Sequence, residues 1–194
     1  MTHSLLVDEE TYSRSTLGFW VYLMTDCILF SVLFTAYWVL HKETFGGPGT
    51  HDLLSLPLAV GETFVLLFSS FASGLGMIAA RRSEKNKVLF WFAIAFLLGL
   101  SFVVMEVTEF TKLVREGNSW SRSAFLSSYF TLVGTHGFHV SIGLLWMIIL
   151  MIQVLYRGII VSTFRKLVCL SMFWHFLDLV WIFLFTVVYL MGVK

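Results

Sequence analysis

The chain has 194 residues, of which 58% are hydrophobic, 17% aromatic and only 13% charged, with a formal net charge of +1. Soluble domains carry about 45–50% apolar and about 25% charged residues, so a soluble domain is excluded and lipid is the solvent for most of the chain. Lys and Arg number 13 against 12 Asp and Glu, with no long charge block, which excludes nucleic acid as a partner.

Residues 1–16 carry Asp8, Glu9 and Glu10 ahead of Arg14. This is the reverse of a signal peptide's positive start, and the apolar run that follows is too long for a signal core, so a retained cytoplasmic segment is expected. A hydrocarbon layer of about 30 Å takes roughly 20 apolar residues at 1.5 Å each. Five such runs follow, at about 17–40, 58–80, 88–110, 124–156 and 167–191. They predict an all-α integral membrane protein, a single five-helix bundle over 17–194. A barrel is set aside because no two-residue alternation occurs.

The first run contains Asp26, and residues 45–52, Phe-Gly-Gly-Pro-Gly-Thr-His-Asp, form the turn-rich loop after it. The second contains Glu62 and rows of small residues four apart: Ser69/Ser73, Ser70/Gly74 and Ala72/Gly76/Ala80. Such rows let another backbone approach closely, although Gly and Ala are also simply common in membrane helices. The third carries Glu106 and Glu109. The fourth, longer than a bilayer requires, carries His136 and His139 and predicts a tilt or a helical shoulder among the headgroups. The fifth carries His175 and Asp178 in an aromatic stretch whose Trp174 and Trp181, seven apart, share a face and read as helix packing. Cys27 and Cys169 sit in or beside apolar runs, where sulfur packs as a hydrophobe; no disulfide framework or zinc motif is implied.

Cations near the span ends set the expected orientation. Arg14, Arg81, Arg82, Lys85, Lys87, Arg157, Arg165 and Lys166 fall on one side; Lys42, Lys112, Arg115, Arg122 and Lys194 fall on the other. The larger group belongs inside, which puts the N-terminus in the cytoplasm and the C-terminus in the periplasm.

Asp26, Glu62, Glu106, Glu109, His136, His139, His175 and Asp178 are then the ionisable groups inside the membrane, with no Lys or Arg among them. A lone charge there costs about 2.5–3.5 kcal/mol on insertion scales, so these groups should be protonated or hydrogen-bonded and face protein or water. Glu106/Glu109, His136/His139 and His175/Asp178 are each three apart, two polar groups on one helix face. Depth counting places Glu62, Glu106 and Glu109 in the outer half with the two histidines of the fourth span slightly deeper, a Glu/His cluster joining three helices. Asp26, His175 and Asp178 fall nearer the middle or the inner half, and the last two would anchor the fifth helix.

Metal chemistry fits these spacings poorly. A di-iron site wants Glu-x-x-His on two helices plus further glutamates, whereas this chain offers Glu-x-x-Glu, His-x-x-His and His-x-x-Asp. A bis-histidine haem would need His175 to face His136 or His139 at equal depth. An interhelical hydrogen-bond network and a proton-related role both remain open.

Four strings resemble subunit III of the haem–copper terminal oxidases: residues 18–30, Gly-Phe-Trp-Val-Tyr-Leu-Met-Thr-Asp-Cys-Ile-Leu-Phe; 106–109, Glu-Val-Thr-Glu; 134–140, Gly-Thr-His-Gly-Phe-His-Val; and 173–181, Phe-Trp-His-Phe-Leu-Asp-Leu-Val-Trp. The likeness extends from Leu17 onward and is greatest to the five-helix form found in bacterial bo-type ubiquinol oxidases. Members of the wider family have Glu where this chain has Asp26. The resemblance implies a non-catalytic subunit of a proton-pumping complex in the bacterial inner membrane, with partner subunits I, II and IV. It also implies haems and copper in subunit I and no catalytic residue, cofactor or metal in this chain. A phospholipid cleft accompanies the longer, seven-helix members; in a five-helix chain any lipid is expected between chains. Subunit III of a cytochrome c oxidase and a haem-binding electron-transfer subunit are the alternatives.

Overall fold

A computed structural model describes residues 2–44 and 56–190, with side chains from Thr16 onward. The elements are α1 (Thr2–Leu40), α2 (Leu56–Arg81), α3 (Lys85–Arg115), α4 (Ala124–Arg157) and α5 (Val161–Leu184), which continues into a π-helical turn, Phe185–Leu190. All five helices are long and apolar enough to cross a membrane, the first over Thr16–Leu40. The loop 45–52, Met191 and Lys194 lie outside the described residues, as do the side chains of Asp8, Glu9, Glu10 and Arg14.

Helices overrun the apolar spans at both faces. The third continues past Phe110 to Arg115, and the fifth begins at Val161 rather than Leu167. A hydropathy reading stops at Lys112 or Lys166, but Lys and Arg are good helix formers whose apolar stems extend from the interface into water. Pro57 is tolerated in the first turn of α2, where no intrahelical N–H partner is needed.

The turns between helices are stapled by caps. At the end of α3 the amide of Gly117 reaches Val114 O at 3.1 Å and that of Asn118 reaches Leu113 O at 2.9 Å, with Gly117 at φ +81°. This paired closure requires a left-handed residue at the glycine's position. The same closure ends α2, with Ser83 N on Ala80 O at 3.0 Å and Glu84 N on Ala79 O at 3.1 Å, but there a serine takes the left-handed place at φ 56°. Ser123 caps α4, its hydroxyl accepting from Leu126 N at 3.2 Å. Glu84, exposed at the start of α3, is bonded to Lys87 at 2.9 Å, and that bond holds its carboxyl below the ordinary glutamate range.

Helices α2, α3, α4 and α5 each pack on two neighbours and close a ring, α2 on α3, α3 on α4, α4 on α5 and α5 on α2. Helix α1 lies outside it against α4 and α5. Only a narrow stripe of α1 is buried, Leu23, Asp26, Phe30 and Tyr37, while Leu17, Val21, Ile28, Val32 and Val39 face outward. In lipid the drive to pack is close contact between helices rather than expulsion of water, and the small residues of α2 meet that need. Ser69, Ala72, Ser73, Gly76 and Ala80 are all buried, and a methyl on Gly76 would stand 2.8 Å from the Phe92 ring of α3.

Candidate functional site

Two tryptophans on α5 organise the ring. Buried indole N–H groups need acceptors, and α2 supplies them: Trp174 Nε1 donates to Ser69 Oγ and Trp181 Nε1 to Thr63 Oγ1, each at 3.0 Å. Ser69 Oγ donates in turn to Ala95 O of α3 at 2.7 Å, so one hydroxyl ties three helices. The Trp174 ring lies in a slot between Gly99 of α3 and Gly143 of α4, where added Cβ atoms would stand 2.7 Å and 2.9 Å from it. Trp181 meets Phe102 edge to face at 4.7 Å and lies 5.3 Å from the His136 ring.

Toward the end of the ring that carries the α3–α4 turn lies a group of buried acids. Glu62 from α2 and Glu106 and Glu109 from α3 are 0%, 4% and 7% exposed and close enough to interact electrostatically. The Glu106 carboxyl rests on the backbone of α4 at Gly137, where a Cβ would come within 2.6 Å of Oε2. A side chain there would have to displace the acid. Tyr189, presented by the π-helical turn, donates to Glu109 Oε2 at 3.1 Å and lies 3.2 Å, hydroxyl to hydroxyl, from Tyr129 of α4. His136 is fully buried among Phe30, Phe102 and Trp181. Both Glu62 oxygens, Glu106 Oε1 and both His136 ring nitrogens have no hydrogen-bond partner among the described residues.

The other predicted residues form separate sites. His139 does not join the glutamates: its Nδ1 bonds to Thr135 O at 2.7 Å, and its Nε2 lies 3.9 Å from Asp26 Oδ1 on α1. Side chains three residues apart are offset by about 60° around the helix axis, and that offset is enough to turn His136 into the ring and His139 toward α1. His175 and Asp178 also part. Asp178 is half-buried against Ser70 of α2, whereas His175 is exposed and returns its Nδ1 to Ser171 O at 2.7 Å. The fifth helix is therefore anchored by Trp174 and Trp181 more than by His175. Among the described residues no group of three or more His, Cys, Asp or Glu is arranged to hold a metal ion.

Sequence reasoning missed Thr63, Ser69, Tyr129, Gly137 and Tyr189 as members of these networks. For the first two a signal existed: Trp174 and Trp181 are seven apart on α5, and Thr63 and Ser69 are six apart on α2, which runs antiparallel. Two indole donors thus face two hydroxyls at matching heights. For Tyr189 none existed, because its direction depends on the π-helical turn.

The architecture is that of an integral membrane subunit with a buried acidic core, and comparison places it in a family. Residues 11–193 match the family described as cytochrome c oxidase subunit III, and the chain belongs to that family. It is 53% identical over 183 residues to the cytochrome bo(3) ubiquinol oxidase subunit 3 of Pseudomonas aeruginosa, covering 94% of this chain and 88% of the relative. The quinol oxidase subunit 3 of Bacillus subtilis is 45% identical over 94% of this chain and 90% of its own. The cytochrome c oxidase subunit 3 of Bacillus sp. PS3 is 43% identical over 91% and 85%.

Proposed function

We propose that the chain is a non-catalytic structural subunit of a proton-pumping bo-type ubiquinol oxidase of the bacterial inner membrane, a complex that oxidises ubiquinol and reduces oxygen to water. The observation that carries this is the 53% identity, over nearly the whole chain, to a subunit named for that complex. The geometry agrees in kind, since the Trp174–Ser69–Ala95, Trp181–Thr63 and Tyr189–Glu109 bonds each join helices. The N-terminus lies in the cytoplasm and the C-terminus in the periplasm, as the cation count directs. Subunit I is the principal contact and holds the haems and copper; subunits II and IV and phospholipid complete the surroundings.

The intramembrane groups Asp26, Glu62, Glu106, Glu109, His136, His139, His175 and Asp178 serve assembly first. Replacing Glu106 or His136 by Ala should lower the yield of assembled complex more than the turnover of each complex that forms. Full assembly with proton pumping abolished would instead give the acidic core a proton-handling role.

The relative named as a cytochrome c oxidase subunit, 43% identical, favours a second reading in which cytochrome c is the electron donor. Turnover of the purified complex on ubiquinol and on reduced cytochrome c separates the two. Activity on cytochrome c alone would overturn the first reading.

A further inference from the structure

Of the eight ionisable groups within the spans, His175 alone is exposed. It sits midway along the Val161–Leu190 crossing and lines a groove of about 370 Å³ between α1 and α5. Trp20 and Met24 line the groove from α1, and Met172 and Phe176 from α5. Phe176 is backed by Phe30 at 6.5 Å, ring to ring, while Trp20 and Met24 are 50% and 53% exposed. The groove therefore opens to the bilayer and closes against the body of the protein.

An exposed polar ring in the middle of a membrane is costly unless a partner meets it, and the hydrogen bonding of His175 says what kind. Its Nδ1 lies 2.7 Å from Ser171 O. A carbonyl only accepts, so Nδ1 carries the proton and the neutral ring presents Nε2 as an acceptor. The partner must then donate, and must do so at a depth of roughly 15 Å from either headgroup layer, half of a hydrocarbon core of about 30 Å. Phospholipid headgroups do not reach that depth. A membrane-soluble molecule with a ring hydroxyl does, and the walls suit a ring: aromatic faces from Trp20 and Phe176, and two polarizable thioethers that favour aromatic contact. The volume is at the small end for ligand pockets, about 300–1,000 Å³, which fits one substituted ring with its tail left in the bilayer.

We infer that the groove between α1 and α5 is a binding site for ubiquinol, one ring hydroxyl donating to His175 Nε2 and the ring lying among Trp20, Met24, Met172 and Phe176. The site deepens the proposed function and rests on the complex being a ubiquinol oxidase. It holds a quinol in reserve beside the complex. It also discriminates by redox state, because ubiquinone has carbonyls in place of both hydroxyls and offers Nε2 no proton.

The test uses the intact complex in phosphatidylcholine nanodiscs, without oxygen, and a ubiquinol analogue bearing a diazirine at the start of its tail. After illumination, labelled peptides are mapped by mass spectrometry, and label is expected on the α1 and α5 segments that line the groove. His175→Leu removes the acceptor, and loss of one hydrogen bond corresponds to about a fivefold drop in that label. His175→Gln, whose side-chain carbonyl accepts, should restore it. Leu179→Trp fills the groove from an exposed position and should abolish the label with subunit composition unchanged. The oxidised probe should label the groove about fivefold less than the reduced one. Wild-type complex that oxidises ubiquinol but takes no label here, or label unchanged in both His175→Leu and Leu179→Trp, would overturn the site and leave the ubiquinol reading standing. A complex that turns over on cytochrome c alone and takes no label in any subunit would overturn both. Equal labelling by the oxidised probe would refute the contact with Nε2, and loss of a partner subunit from Leu179→Trp would show that the groove seats protein instead.

Discussion

At the scale of single residues, Gly137 and Ser69 do more than their size implies. Gly137 leaves the space into which the Glu106 carboxyl fits, with 2.6 Å between its would-be Cβ and Oε2. A Gly137→Ala variant should therefore be overpacked and destabilised by about 1–3 kcal/mol, seen as a lower temperature for loss of the chain from the purified complex. Gly134→Ala, with its nearest neighbour at 3.6 Å, should leave that temperature unchanged. The Trp174–Ser69 bond is open to a double-mutant cycle with Trp174→Phe and Ser69→Ala. A coupling of about 0.5–1.5 kcal/mol is expected, toward the lower end because interhelical bonds in membranes average near 0.6 kcal/mol. No coupling would mean that the indole contributes by filling the slot between Gly99 and Gly143 alone.

At the scale of elements, what could be read in advance depended on what hydropathy encodes. The number of helices was legible because each crossing needs a long apolar run. Rotation about each helix axis was not legible. A helix apolar on all sides has no stripe to say which face is buried, and α1 and α5 are of this kind. Hence the three-residue spacing of His175 and Asp178 predicts a common face, whereas Asp178 meets Ser70 of α2 and His175 faces outward. The π-helical turn was also hidden, since it is a small disagreement between helix register and packing that sequence pattern does not record. The left-handed Ser83 offers a prediction at this scale. Ser83→Gly should relieve that conformation and stabilise the α2–α3 hairpin by up to about 1 kcal/mol, measurable as a raised unfolding midpoint in the detergent-solubilised complex. A lowered midpoint would show that the serine side chain holds the turn.

At the scale of the whole molecule the chain is polarised. The acids Glu62, Glu106 and Glu109 gather inside one end of the ring, and the cations of the α2–α3 and α4–α5 turns gather around the other. The cationic end should therefore associate with anionic lipid in a salt-dependent way. Raising ionic strength should weaken retention of phosphatidylglycerol by the complex and leave phosphatidylcholine unaffected, as lipid counts across a salt series would show. The narrow seat of α1 has a consequence in time. Helix α1 rests on α4 and α5, which are translated after it, and at ordinary synthesis rates the more than one hundred residues between Asp26 and His139 take on the order of ten seconds to emerge. For that interval α1 waits in the bilayer with Asp26 unshielded, until α4 brings His139 and Phe30 gains its aromatic neighbours. The nascent chain is thus most vulnerable just before its fourth crossing, when a carboxyl that the finished fold encloses still has only lipid and stray water around it.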